Sequence, residues 1–102
     1  MAVSKIITDD GKKVNIIVSS QFDYSLHQVF RDTYRDVTQT GVTFRVDLSK
    51  STYMDSSALG MILLLKEHAD KLGGRVVISR PNESVLKILT IANFDKFVTI
   101  ES

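Results

Sequence analysis

Asp55, Ser56 and Ser57 stand in a row immediately before an apolar run, Ala58-Leu59-Gly60-Met61-Ile62-Leu63-Leu64-Leu65. An acid followed by two hydroxyls at the mouth of a predicted helix supports two kinds of chemistry. One is capping, in which a side-chain oxygen accepts a hydrogen bond from a backbone N–H that the first helical turn leaves unpaired. Ser56 suits that role, and so does Asp55, whose charge also favours the positive end of the helix dipole. A single cap is enough, so two of the three side chains are surplus to it. The other chemistry is covalent modification of a hydroxyl, whose phosphate ester would meet free N–H groups there. On residue types alone capping is the simpler reading, because so short a motif also arises by chance.

Catalysis has little support. A serine nucleophile needs a base and an oxyanion hole, and the chain has no G-x-S-x-G elbow. Its two imidazoles are His27 and His68. His68 lies about 18 Å along the helix from Ser56, too far to serve as its base. His27 stands among polar neighbours on an earlier predicted helix and reads as a solvated surface residue. Neither histidine has an acid three or four residues further on, which leaves no convincing metal site. The absence of cysteine removes thiolate ligands and disulfides, and the absence of a Walker A sequence argues against ATP binding. The expectation is a protein without catalytic activity, cofactor or metal.

The bulk composition is that of an ordinary soluble globular protein. The chain has 102 residues, enough for one domain, with 43% hydrophobic and 25% charged residues. Thirteen basic residues, scattered along the chain, oppose twelve acidic ones for a net charge of +1, which offers no footprint for nucleic acid or an anionic membrane. No segment approaches the roughly 18 apolar residues of a membrane span. The N-terminal stretch lacks the apolar run of a signal peptide, so the expected location is the cytoplasm.

The elements that would position Asp55, Ser56 and Ser57 are legible by period. β-Branched runs at Val3–Thr8 and Val14–Val18 flank Asp9-Asp10-Gly11-Lys12, a hairpin signal. From about Tyr24 to Thr38 the residues Leu26, Val29, Phe30, Tyr34 and Val37 recur at helical spacing, with Ser25 as a candidate cap and Gly41 beyond the end. Val42–Leu48 alternates as a strand, and the loop SKSTYMDSS leads into a helix that Gly73-Gly74 closes. A strand at Arg75–Ser79, a helix over Glu83–Ala92 behind Pro81, and a strand at Phe97–Ile100 complete the chain. The order β-β-α-β-α-β-α-β predicts an α/β fold, a mixed sheet whose first hairpin is antiparallel and whose other strands pair in parallel.

On a helical wheel Ala58, Ile62, Leu65, Ala69 and Leu72 fall within about 40° of one line, with Glu67, Asp70 and Lys71 opposite. Leu63 and Leu64 lie off that line. Two readings stand side by side: an apolar interaction surface next to Ser56, or a helix buried more broadly over its first half.

The stretch Tyr53-Met54-Asp55-Ser56-Ser57-Ala58-Leu59-Gly60 resembles the phosphorylation motif of the STAS family, the domain of sulphate transporters and anti-sigma factor antagonists. The resemblance extends to Phe44-Arg45-Val46-Asp47-Leu48, to Gly73-Gly74-Arg75-Val76-Val77-Ile78, to Val85-Leu86-Lys87-Ile88-Leu89, and to Phe94 with Phe97. It implies a STAS-type mixed sheet with helices packed mainly on one side, and a partner-switching regulator. The unphosphorylated form would bind an anti-sigma factor or related regulator and free a sigma factor. A serine kinase and a phosphatase would act on the serine after the motif aspartate, which is Ser56, flanked by Asp55 and Ser57. The partner surface it implies comprises Asp23, Tyr53, Met54, Ala58, Gly60, Leu63 and Leu64. Two positions depart from the family pattern: Ser20-Gln21-Phe22-Asp23 replaces the usual Gly-Glu-Leu-Asp, and Ala58 stands where glycine is common. Some members of the family are instead structural subunits of lipid-transport ABC complexes, which gives an alternative role.

Overall fold

In the computed structural model, which describes residues 2–101, the chain first reverses at Asp9-Asp10-Gly11, all three at positive φ (59°, 56° and 87°). Aspartate tolerates this backbone better than most residues and glycine adopts it freely. The turn joins β1 (Val3–Thr8) to β2 (Lys13–Val18) as an antiparallel hairpin with Val3 opposite Val18. The chain continues through β3 (Ser20–Phe22), α1 (His27–Tyr34), β4 (Thr43–Asp47), β5 (Ser51–Met54) and α2 (Ser56–Lys71). It ends with β6 (Arg75–Ser79), α3 (Glu83–Ile91) and β7 (Thr99–Glu101).

The main sheet has the order β1-β2-β4-β6-β7, antiparallel at the hairpin and parallel elsewhere, as the element order predicts. Its register sets Val14, Phe44 and Val76 in one row and Ile16, Val46 and Ile78 in the next. These side chains join Phe30, Ile62, Leu65, Ala69, Val85 and Leu89 from the three helices in a single core. The other face carries Asn15, Arg45 and Thr99 around Val77, and there Arg45 pairs with Glu101 and Arg80 with Asp47. The alternation of burial along β2 and β4 therefore decides which face the helices cover.

Several boundaries differ from the sequence expectation. The stretch read as a loop contains β5, which pairs in parallel with the equally short β3 as a separate two-stranded sheet. The first helix is shorter than Tyr24–Thr38: Tyr24–Leu26 is a 3₁₀ turn, capped by Asp23 rather than Ser25. The α-helix ends at Tyr34, and the Val37 carbonyl is taken by His68 Nε2 at 2.8 Å instead of by a helical N–H. His27 is half-buried and stacks on Tyr24 with ring centroids 4.9 Å apart, so it is not the freely solvated residue expected. The last strand starts at Thr99 rather than Phe97, because Phe94–Lys96 forms a 3₁₀ turn first.

α2 buries Ala58, Met61, Ile62, Leu65 and Ala69, with Leu72 packed at the edge of the core. Its C-terminus closes through Gly73 at φ 67°, the left-handed turn that glycine permits. Gly74 serves a different purpose. A Cβ there would stand 2.0 Å from the Val42 carbonyl oxygen, so only glycine lets the chain pass this close to the start of β4. No helix among the described residues is long and apolar enough to cross a membrane.

Candidate functional site

β5 delivers the chain to the first turn of α2, and three contacts fix that delivery. The Ser51 hydroxyl donates to the Val18 carbonyl at 2.7 Å from a buried position. Asn82, the cap of α3, donates its side-chain amide to the Ser51 carbonyl at 2.7 Å while its Oδ1 accepts from Val85 N. The Asp55 N–H donates to the Phe22 carbonyl at 3.3 Å, tying the end of β5 to β3. β3, β5, α2 and α3 therefore converge on Asp55.

Asp55 has extended backbone angles (φ −108°, ψ 179°) and is the N-cap of α2. Its Oδ1 accepts from Ala58 N at 3.2 Å and from the Ser57 hydroxyl at 2.6 Å. The Ser57 hydroxyl, helped by the backbone N–H groups of Ala58 and Ser57, holds the Asp55 carboxyl below the usual carboxylate range against a smaller opposing effect of burial. Capping thus falls to Asp55, with Ser57 in support, and not to Ser56. Ser56 is the first helical residue, is exposed, and its hydroxyl has no hydrogen-bond partner among the described residues.

Two expected outcomes follow for this cap. Asp55→Ala should cost about 1 kcal/mol, the usual loss for an N-cap, readable as a lower midpoint in urea. Because the folded value lies below the unfolded one, ionised Asp55 stabilises the fold above about pH 4, and that contribution is lost as pH falls through the lowered folded value. In acid titrations of the melting temperature, the wild type should lose stability near and below pH 4 relative to Asp55→Asn, whose curve lacks this component.

The remaining predicted site residues divide by burial. Tyr53 (50% exposed), Gly60, Leu63 (40%) and Leu64 (51%) lie on the surface. Both leucines are solvent-exposed and lie outside the core, although the first half of α2 also buries Met61 and packs Leu59 against it. Met54 and Ala58 are 0% exposed and belong to the core. They correct the expected partner surface, since a side chain enclosed on every side by β5 and α2 packing has no area left for a partner. Asp23 is half-buried and is engaged locally, accepting from the backbone N–H and hydroxyl of Ser25.

Ser56, Gly60, Leu64, Glu67 and Lys71 follow one another at three- and four-residue spacing and form an exposed stripe down α2, with Leu63 exposed beside it. Gly60 sits on this stripe with nothing within 4 Å of where a Cβ would be. Gly60→Ala should therefore raise stability by roughly 0.5–1 kcal/mol, the helix-interior difference between the two residues, measured by urea unfolding. Sequence reasoning missed Tyr24, 64% exposed, which follows Asp23 just beyond the Phe22 carbonyl that holds Asp55. In the sequence Tyr24 stands only as the approximate start of a helix, outside its apolar face, and it lies in the 3₁₀ turn that precedes α1. The first turn of α2, Ser56 to Leu59, contains no Lys or Arg. A phosphate on Ser56 would meet helix N–H groups and the like charge of Asp55, but no cation of its own turn.

Comparison with known proteins gives consistent matches over nearly the whole chain. The family model described as "Mlab, STAS domain" matches residues 7–100. A STAS-domain containing protein of Pseudomonas aeruginosa (strain UCBPP-PA14) is 40% identical over 100 residues, spanning 98% of this chain and 99% of that protein. Among solved structures, a candidate anti-sigma factor antagonist from Thermotoga maritima superposes with a TM-score of 0.81 at 22% identity, covering 98% of this chain and 86% of that one. The anti-sigma factor antagonist SpoIIAA in its unphosphorylated form gives 0.81 at 18% identity, covering 99% and 89%. At such identities the solved structures share the fold with this chain.

Proposed function

The chain belongs to the STAS domain family, and from that membership we propose that it is a phosphorylation-controlled partner switch with Ser56 as the modified residue. Unphosphorylated, it binds an anti-sigma factor or similar regulator through the surface around the first turn of α2. A serine kinase closes that surface and a phosphatase restores it. The protein regulates by binding and carries out no reaction itself, and its place of action is the cytoplasm.

One observation carries the reading: the Ser56 hydroxyl is exposed and has no hydrogen-bond partner among the described residues, while Asp55 caps α2 and accepts from the Ser57 hydroxyl. Had Ser56 been the cap, its hydroxyl would be occupied and its presence explained by stability alone. The neighbouring exposed side chains Tyr53 and Leu63 supply apolar contact area of the kind that protein interfaces favour. The fold shared with SpoIIAA, which has been solved in a phosphorylated form as well, adds support by analogy.

The test is affinity capture from native cell extract with wild type, Ser56→Ala and Ser56→Asp as baits, followed by identification of the retained proteins. The expected result is one small regulatory protein held by wild type and Ser56→Ala and released by Ser56→Asp. Equal capture by all three baits of a membrane-associated ATPase would replace this reading with that of a structural subunit of a transport complex.

A further inference from the structure

We infer that the groove between α1 and α2 is a second docking site, shaped and charged for an acidic segment of a partner protein. α1 contributes His27, Arg31 and Arg35 to one wall, and α2 contributes Leu64, Glu67 and Lys71 to the other, enclosing about 440 Å³. The floor is rigid. Tyr34 is buried there, and the His68 ring lies against Tyr34 (5.3 Å between centroids) and Phe44 (6.0 Å), with Nε2 bonded to the Val37 carbonyl. At the lip, Tyr24 stacks on His27 and is 64% exposed.

The charge of this groove departs from that of the chain. Overall the balance is +1, yet the walls hold the permanent cations Arg31, Arg35 and Lys71 against the single acid Glu67. Arg31 and Lys71 form no ion pair among the described residues. Arg35 reaches Asp32 at 3.3 Å, but both side chains are about half exposed and such a pair contributes little. The groove therefore presents cations with unmet hydrogen-bonding capacity beside two exposed apolar groups, Leu64 and Tyr24. An acidic segment with one apolar side chain satisfies both: carboxylates take the Arg31 and Lys71 donors, and the apolar group covers Leu64. A nucleic-acid backbone suits it less. Glu67 stands inside the groove, Asp32 and Asp36 flank Arg35, and three cations are few for a phosphate track.

The site does not rest on the role given to Ser56. Leu64 lies about 12 Å and Lys71 about 22 Å from Ser56 along α2. Those spans exceed the roughly 8 Å screening length of physiological salt, so a charge at Ser56 is felt only weakly in the groove. Docking there holds a partner in either state of the switch.

The experiment titrates ¹⁵N-labelled protein with a short Glu-rich peptide carrying one central leucine, with its Lys-rich counterpart, and with a duplex oligonucleotide. The expected result is salt-sensitive amide shifts confined to α1 and the second half of α2, seen with the acidic peptide alone. Arg31→Glu combined with Lys71→Glu should weaken binding about tenfold or more. Both residues are exposed, and circular dichroism checks that the double variant is folded. Ser56→Asp should change the affinity by less than about twofold. Absence of binding, equal binding of both peptides, shifts outside the groove, or tighter binding of the oligonucleotide would each overturn the proposal. Loss of peptide binding in Ser56→Asp would overturn its independence from the switch.

Discussion

Phosphorylation of Ser56 is expected to weaken the regulator complex a hundredfold or more while leaving the melting temperature within about 4 °C of the unmodified protein. The asymmetry comes from where the charge is placed. On the free protein the phosphate sits at a solvated helix N-terminus, where the dipole and unpaired N–H groups favour it by about 0.3–1 kcal/mol. Asp55 next to it opposes by a comparable amount in water. The fold is therefore nearly indifferent. In the complex the same group, carrying about −1.5 to −2 charges, is enclosed against a partner, and the first turn of α2 offers it no cation. Burying an uncompensated charge costs several kcal/mol, which is two or more decades of affinity. Ser56→Asp carries one charge and should lose about tenfold, with Ser56→Ala close to wild type. Calorimetric titration of the partner with the phosphorylated protein and both variants, beside thermal melts of each, separates the two effects. A melting temperature that falls together with the affinity would mean the modification acts by loosening α2.

Gly74→Ala should be the most damaging single-methyl change in the molecule. The added Cβ would lie 2.0 Å from the Val42 carbonyl oxygen and 3.0 Å from its carbon, both backbone atoms that cannot swing aside. The Arg75 N–H bonds that same carbonyl at 3.0 Å, so relief means separating β6 from the start of β4. A loss of roughly 3–5 kcal/mol, the range of severe steric substitutions, corresponds to a fall in melting temperature on the order of 15 °C or more. Gly73→Ala beside it meets no atom within 4 Å and bears only the cost of left-handed backbone, about 1–2 kcal/mol. Urea unfolding of the two variants, together with Gly60→Ala, gives three glycines with three different expectations: a large loss, a modest loss and a gain.

Much of this arrangement is readable from residue order, and the exceptions have physical causes. The hairpin, β4, β6 and α2 announce themselves because a buried face imposes a period of two or of 3.6 on the sequence. The core line Ala58-Ile62-Leu65-Ala69 holds for that reason. β3 and β5 escape because three- and four-residue strands are too short to show a period, and each is fixed by its partner across the chain rather than by its own pattern. The first helix is overestimated because Leu26 and Val37 fit a helical period, while Leu26 lies in the 3₁₀ turn capped by Asp23 and α1 ends at Tyr34. At the candidate site, Asp55-Ser56-Ser57 is legible as a cluster, but the division of labour within it is not. Which oxygen meets which N–H depends on the φ and ψ of Asp55, set by its bond to the Phe22 carbonyl. The misplacement of Met54 and Ala58 has the same origin. Proximity in sequence to Ser56 says nothing of which side of a strand or helix each residue occupies.

The placement of the helix cap on Asp55 has a further consequence, for how this protein can change over generations. The side chain at residue 56 makes no hydrogen bond among the described residues, so Ser, Ala, Thr, Asp and Glu are close to interchangeable there as far as folding is concerned. Under the role proposed for Ser56, a single codon change there would hold the protein in one signalling state without a stability penalty to be repaired elsewhere, and selection on this position would bear on signalling rather than on folding.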